Sequence, residues 1–176
     1  RAVGDLSQAQ KAFEDGLALA KARLSGRQEG QTEGYLLNGL AAVAFARKDY
    51  QTALAYNTQA AQFFEGMRAR LGPKAPERLR TNVLRWAAAS FQGIGRDELA
   101  LGHLDEADAA FDKALKHAQL SGHRDVETDI LGGQGSLALS RKHWTKAAGI
   151  FQQSIALATQ TKKVGALAHL NHRLAR

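Results

Sequence analysis

The run Gly132-Gly133-Gln134-Gly135-Ser136 has the composition of a loop that cradles phosphate with backbone amides. Such a loop needs a strand before it and a Lys-Ser or Lys-Thr pair beside the phosphate, and the sequence supplies neither. What remains is a cluster of small residues that lets helices approach closely. His169 and His172 stand one helical turn apart, as two metal ligands would, yet no carboxylate lies near them in sequence. Asp105, Glu106 and Asp108 are read as acids opening a helix, where they complement its N-terminal dipole, rather than as a general acid and base. There is no cysteine, so thiol nucleophiles, disulfides and thiolate metal sites are excluded. No spacing of Ser, His and Asp supports a catalytic triad. The expectation is therefore a non-enzymatic chain with no metal and no cofactor, whose chemistry is recognition.

The elements that would position recognising side chains are set by a recurring stripe. Leu104, Ala107, Phe111 and Ala114 return as Trp144, Ala147, Phe151 and Ser154, at an offset of 40 residues. Large, small, aromatic and small residues at these steps fall on one face of a helix. Leu6, Ala9, Phe13 and Gly16 carry the stripe near the N-terminus, and Tyr50, Ala53, Asn57 and Ala60 carry it again with Asn57 in the aromatic place. Ala9, Ala53 and Ala107 are separated by 44 and then 54 residues, so one connection is longer by about a dozen residues. A stripe returning at such periods marks a stack of units that bury their faces only against neighbours.

The predicted fold is all-α: a single solenoid over 1–176 of about eight helices. The hairpins fall at 28–71, 76–120 and 124–160, with partial units at 1–24 and 163–176. Asp5 is the expected N-cap of the first helix, and Ser25-Gly26 its stop. Gly72-Pro73 and Pro76 break the long connection, while Gly102 and Ser121-Gly122 end two further helices. Both ends fall inside a unit, so the expectation is an excerpt of a longer array. Uncovered terminal helices are expected to fray or to pair with a second copy of the chain. No run approaches the 18 apolar residues that a membrane span requires, and the expected compartment is the cytoplasm, unless processing has removed a leader.

The net charge of +7 is uneven. Arg68, Arg70, Lys74, Arg78, Arg80, Arg85 and Arg96 meet only Glu77 between positions 68 and 96. A solvated face is the plain reading; attraction of an acidic or phosphorylated partner is the sharper one, ahead of nucleic acid. Trp144 is expected in the core, and Trp86, beside the basic stretch, is expected half exposed as a binding anchor.

Gly95, Gly102, Leu104, Ala107, Phe111 and Ala114, then Gly135, Trp144, Ala147 and Phe151, resemble the small and large signature of tetratricopeptide repeats. The spacing resembles the long-repeat subgroup of kinesin light chains, spindle-orientation adaptors and bacterial regulators of the maltose-activator type. Glu98, Gln134, Ser154 and Asn57 depart from the usual residues. The resemblance implies a right-handed superhelix of antiparallel hairpins whose first helices line a concave groove. It places Tyr35, Asn38, Ala42 and Phe45, then Arg85, Ala89, Gln92, Arg96 and Leu99, then Asp129, Gly132 and Ser136 on that groove. Side-chain amides at Asn38 and Gln92 can both donate to and accept from an extended peptide, with Arg85 selecting acidic character. The implied role is a protein-interaction scaffold that binds a peptide or partner helix. A sensor region of a larger regulator and a polyanion binder are the alternatives.

Overall fold

The computed structural model describes residues 2–24 and 31–161. Its helices are α1 (Ala2–Leu24), α2 (Thr32–Ala46), α3 (Tyr50–Arg70), α4 (Glu77–Leu101), α5 (Leu104–Ser121), α6 (Arg124–Ser140) and α7 (Trp144–Gln160). No strand occurs among the described residues. The expected eighth helix over 163–176, with His169 and His172, and the expected stop at Ser25-Gly26 lie outside the described residues. The first helix begins at Ala2, ahead of Asp5.

Each helix packs on the next in chain order. Beyond those neighbours, the only backbones that approach among the described residues are α2 with α4 and α4 with α6. The even-numbered helices therefore form the tighter, inner layer, and α1, α3, α5 and α7 form an outer layer whose members stand apart. The extra length of the 71–76 connection region is taken up by α3, at 21 residues, and α4, at 25.

Three turns from the inner to the outer layer are the same device. Lys48, Gly102 and Lys142 take left-handed backbone, with φ of 64°, 87° and 58°. One residue later, the amides of Asp49, His103 and His143 bond back to Ala44, Glu98 and Ala138 carbonyls at 3.0, 2.9 and 2.9 Å. This closes the helix end with a Schellman pattern. Glycine adopts that conformation without strain, whereas a residue with a Cβ pays roughly 1–2 kcal/mol. Lys48→Gly with Lys142→Gly is therefore expected to stabilise the fold by about 0.5–1 kcal/mol per site, read as a higher urea midpoint with an unchanged slope. An unchanged or lowered midpoint would show that the turns are not strained.

The core is made by rings seated on glycines. A Cβ on Gly39 would meet the Phe13 ring at 2.6 Å, one on Gly133 the Phe111 ring at 2.5 Å, and one on Gly135 the Phe151 ring at 2.4 Å. The glycine run in α6 thus serves close helix contact. Phe64, Phe111 and Phe151 are each exposed by 1% or less. Trp144, expected in the core, is instead 63% exposed. It is the first residue of α7, and the buried positions of that helix begin only at Ala147. Among the described residues, no helix is long and apolar enough to cross a membrane.

Candidate functional site: the inner helical layer

Contacts across the inner layer run in step along α2 and α4. Tyr35 meets Trp86 edge to face at 4.5 Å between ring centroids, Ser90 donates to Asn38 at 3.1 Å, and the Arg96 guanidinium lies 3.9 Å from the centre of the Phe45 ring. Both sequences ascend together, so the two helices are parallel. Arg85 continues the layer to α6 through an ion pair with Asp125 at 3.1 Å.

Between these helices lies a cavity of about 160 Å³ lined by Asn38, Asn57, Ala89, Gln92, Gly93 and Arg96. The Asn38 carbonyl oxygen accepts from Ser90, whose hydroxyl is fully buried and also reaches the Trp86 carbonyl at 3.0 Å. That anchorage leaves the amide N–H groups of Asn38 as its contribution to the cavity. Arg96 adds a positive charge held flat by its cation–π contact. Asn38 and Arg96 thus both present hydrogen-bond donors to the cavity.

The remaining expected groove residues divide. Tyr35 is 43% exposed and stands at one end of the layer; burial of its ring pushes the phenol up from its ordinary pKa, and the Arg85 charge draws it part of the way back. Trp86 is half-buried as expected, but it is packed between Tyr35 and Phe64, at 4.5 and 5.6 Å, and so supports the layer rather than projecting from it. Leu99 departs from expectation. It packs on the apolar cluster of α4, α5 and α6 that contains Phe111 and Ile130, so its side chain is used in the interior. Asp129 is exposed on α6. Ser136 returns its hydroxyl to the Gly132 carbonyl at 2.8 Å within its own helix.

One buried pair lies outside what the repeat pattern predicts. Asn57 donates to the Asp97 carboxylate at 2.6 Å. Asp97 is fully buried, and its other oxygen has no hydrogen-bond partner. Burial pushes its carboxyl up to about 6, against the opposing pull of the Asn57 hydrogen bond and the Arg96 charge. A signal is present in the sequence. In the register of the stripe, Asp97 falls where α2 has Val43 and α6 has Leu137, at offsets of 54 and 40 residues. A carboxylate at a buried aliphatic position is a departure that sequence alone displays.

The basic stretch is largely engaged. Arg68 makes two bonds to Glu65, at 2.8 and 3.2 Å, Arg80 reaches the Pro73 carbonyl at 3.4 Å, Arg85 pairs with Asp125, and Arg96 stacks on Phe45. Asp105 and Asp108, at the start of α5, grip Arg141 at the end of α6. Asp108 and Arg141 border a second cavity, of about 250 Å³, whose polar lining is largely bonded to itself, Gln134 to Asp112 included. Among the described residues, no group of three His, Asp or Glu is arranged for a metal.

No protein-family model matches the sequence, and no curated protein matches it. Solved structures do. The crystal structure of BtubC (BKLC) from P. vanneervenii superposes with a TM-score of 0.64 over 96% of this chain, at 16% sequence identity. The chain has an all-α, helical repeat-like fold. It spans 64% of the BtubC chain, and at that identity the likeness shows the fold alone. The inner layer is thus described by its own residues: the amides of Asn38 and Gln92, a stacked guanidinium and an edge-on aromatic pair.

Proposed function

We propose that this chain is a non-catalytic protein-interaction module of the tetratricopeptide type, in the long-repeat subgroup. Its inner layer would bind an extended peptide or a partner helix, with a right-handed superhelix as the frame. One observation carries the reading. The layer gathers Asn38, Gln92 and Arg96 onto a single cavity, with the Asn38 donors turned into it by buried Ser90. Donors in that arrangement suit the carbonyls of a peptide backbone or an acidic side chain, so the partner is expected to be acidic near this point. Amides and a guanidinium bind; they supply neither nucleophile nor general base. The exposed Tyr35 ring offers apolar contact beside them, and the compartment proposed for the module is the cytoplasm.

The test is retention of a protein from the source lysate by the parent chain and by Asn38→Ala/Gln92→Ala/Arg96→Ala, at two salt concentrations, with circular dichroism confirming equal helicity. A specific partner held by the parent and lost by the variant at both salts supports the groove. Identical material on both chains, removed by salt, would transfer the binding to the basic surface and end the groove reading.

A further inference from the structure

The stack has a uniform way of joining an outer helix to the next inner one, and it is abandoned once. At the α5–α6 border, Phe111 sits on Gly133 and shares a cluster with Leu137. At the α1–α2 border, the matching residues are Phe13, on Gly39, and Val43, which is 6% exposed. At the α3–α4 border, the same two positions hold Asn57 and Asp97. The glycine of the motif is retained: a Cβ on Gly93 would meet the Asn57 side chain at 2.5 Å. Aromatic and aliphatic residues have been replaced together by a hydrogen-bonded polar pair, in an unchanged seat.

We propose that Asn57 and Asp97 form a proton-sensitive joint between α3 and α4, which closes when the carboxyl is protonated and slackens when it ionises. The geometry leaves the charged form poorly served. One oxygen of the fully buried carboxylate has the Asn57 amide and the other has nothing. Protonation gives that group a neutral form that tolerates burial, whereas a charge without compensation does not.

The surroundings do not neutralise it. On α4, the charges acting on Asp97 are Arg96 and Glu98; the first is stacked on Phe45, and the second accepts His103 at 2.7 Å. α3 has no charged residue between Asp49 and Glu65, and it presents the neutral Asn57. From α2, the neutral Asn38 lines the cavity and the Phe45 ring stacks on Arg96. On α5, Asp105 and Asp108 are held by Arg141, and on α6 Asp125 is held by Arg85.

The direction with pH follows from the raised pKa. Asp97 titrates at about 6 in the folded chain against an ordinary 3.8. The folded state then holds the proton more tightly, so this group's contribution to stability is complete below about 4 and is lost as pH rises through about 6. The joint needs no ligand, and it stands whether or not the cavity beside it binds a peptide.

The deciding experiment is hydrogen exchange on the full chain at pH 5.0 and 7.5, corrected for intrinsic rates, comparing the parent with Asp97→Asn over residues 53–61 and 89–97. The asparagine variant carries every other titrating group, histidines included, and so isolates Asp97. The expected result is a local opening population that rises about tenfold in the parent between the two pH values and stays level in the variant. The same pH dependence in both chains would overturn the proposal. Should Asp97→Asn fail to fold, Asn57→Leu/Asp97→Val takes its place, with an apolar pair like that of the neighbouring borders. A carboxyl-carbon titration of Asp97 in the parent is an independent check: a midpoint above about 5 supports the joint, and one at or below that value overturns it.

Discussion

Phe111→Ala is expected to destabilise the chain by about 3–5 kcal/mol, the range for removing a fully buried phenylalanine. The ring is 1% exposed and lies between two glycines, where added Cβ atoms would meet it at 2.8 Å from Gly95 and 2.5 Å from Gly133. Gly95 belongs to its own hairpin and Gly133 to the following one, so truncation opens a gap within a unit and at a border together. In a stack held by nearest-neighbour contacts, losing one border also weakens the coupling between the parts on either side. Trp86 on α4 and Trp144 on α7 lie on opposite sides of the α5–α6 border. Urea unfolding followed through each indole in single-tryptophan backgrounds is expected to give coincident midpoints in the parent and separated ones in the variant. Coincident midpoints with a loss below about 1 kcal/mol would mean that the ring is not the fastening described above.

Asn57→Ala is the second large effect, and its size should depend on pH. At pH 7.5 the substitution removes the one hydrogen bond to a buried, ionised carboxylate, and leaving that charge buried without its donor costs about 3 kcal/mol or more. Without the Asn57 bond, which lowers the Asp97 pKa, the carboxyl titrates higher still. At pH 4, well below its folded-state value of about 6, the carboxyl is protonated in the folded chain, and the loss reduces to an ordinary hydrogen bond and a small cavity, about 1–2 kcal/mol. Urea midpoints measured at pH 4 and 7.5 check this. Equal losses at both would show that Asp97 is not charged where it lies.

Much of the architecture is legible in the sequence because it depends on periodic apolar positions and on residues that stop helices. Ala107, Phe111 and Ala114 are all buried, as the stripe requires, and Gly102 and Gly122 end α4 and α5 in left-handed backbone. Lys48 and Lys142 make the same turn as Gly102 without the glycine that would announce it. There the Schellman closure overrides residue preference. Trp144 departs from expectation because the stripe gives the face of a helix but not where packing along it begins. Leu99 departs because a groove stripe and a core stripe are adjacent on the same helix, and the contact of α4 with α6 draws that position inward. The cavity itself is half legible: the repeat register places Asn38, Gln92 and Arg96 on one surface. Asn57 lines it too, although the stripe displays that residue only as an anomaly. What no stripe can show is that two anomalies 40 residues apart touch, and the Asn57–Asp97 bond is such a contact.

The ring-on-glycine seats also determine which hairpins can be interchanged. A segment carrying α4 and α5 ends in Phe111 and demands a glycine such as Gly133 from whatever follows; one carrying α6 and α7 offers Gly133 and ends in Phe151. Such units are interlocking parts with a matching plug and socket, so a chain lengthened by repeating residues 124–161 should find a compatible seat at each new border. A unit grafted after α3 would instead have to bring an acid to meet Asn57, as α4 does with Asp97. That border works like a reserved connector, and it fixes the order of the hairpins in the chain.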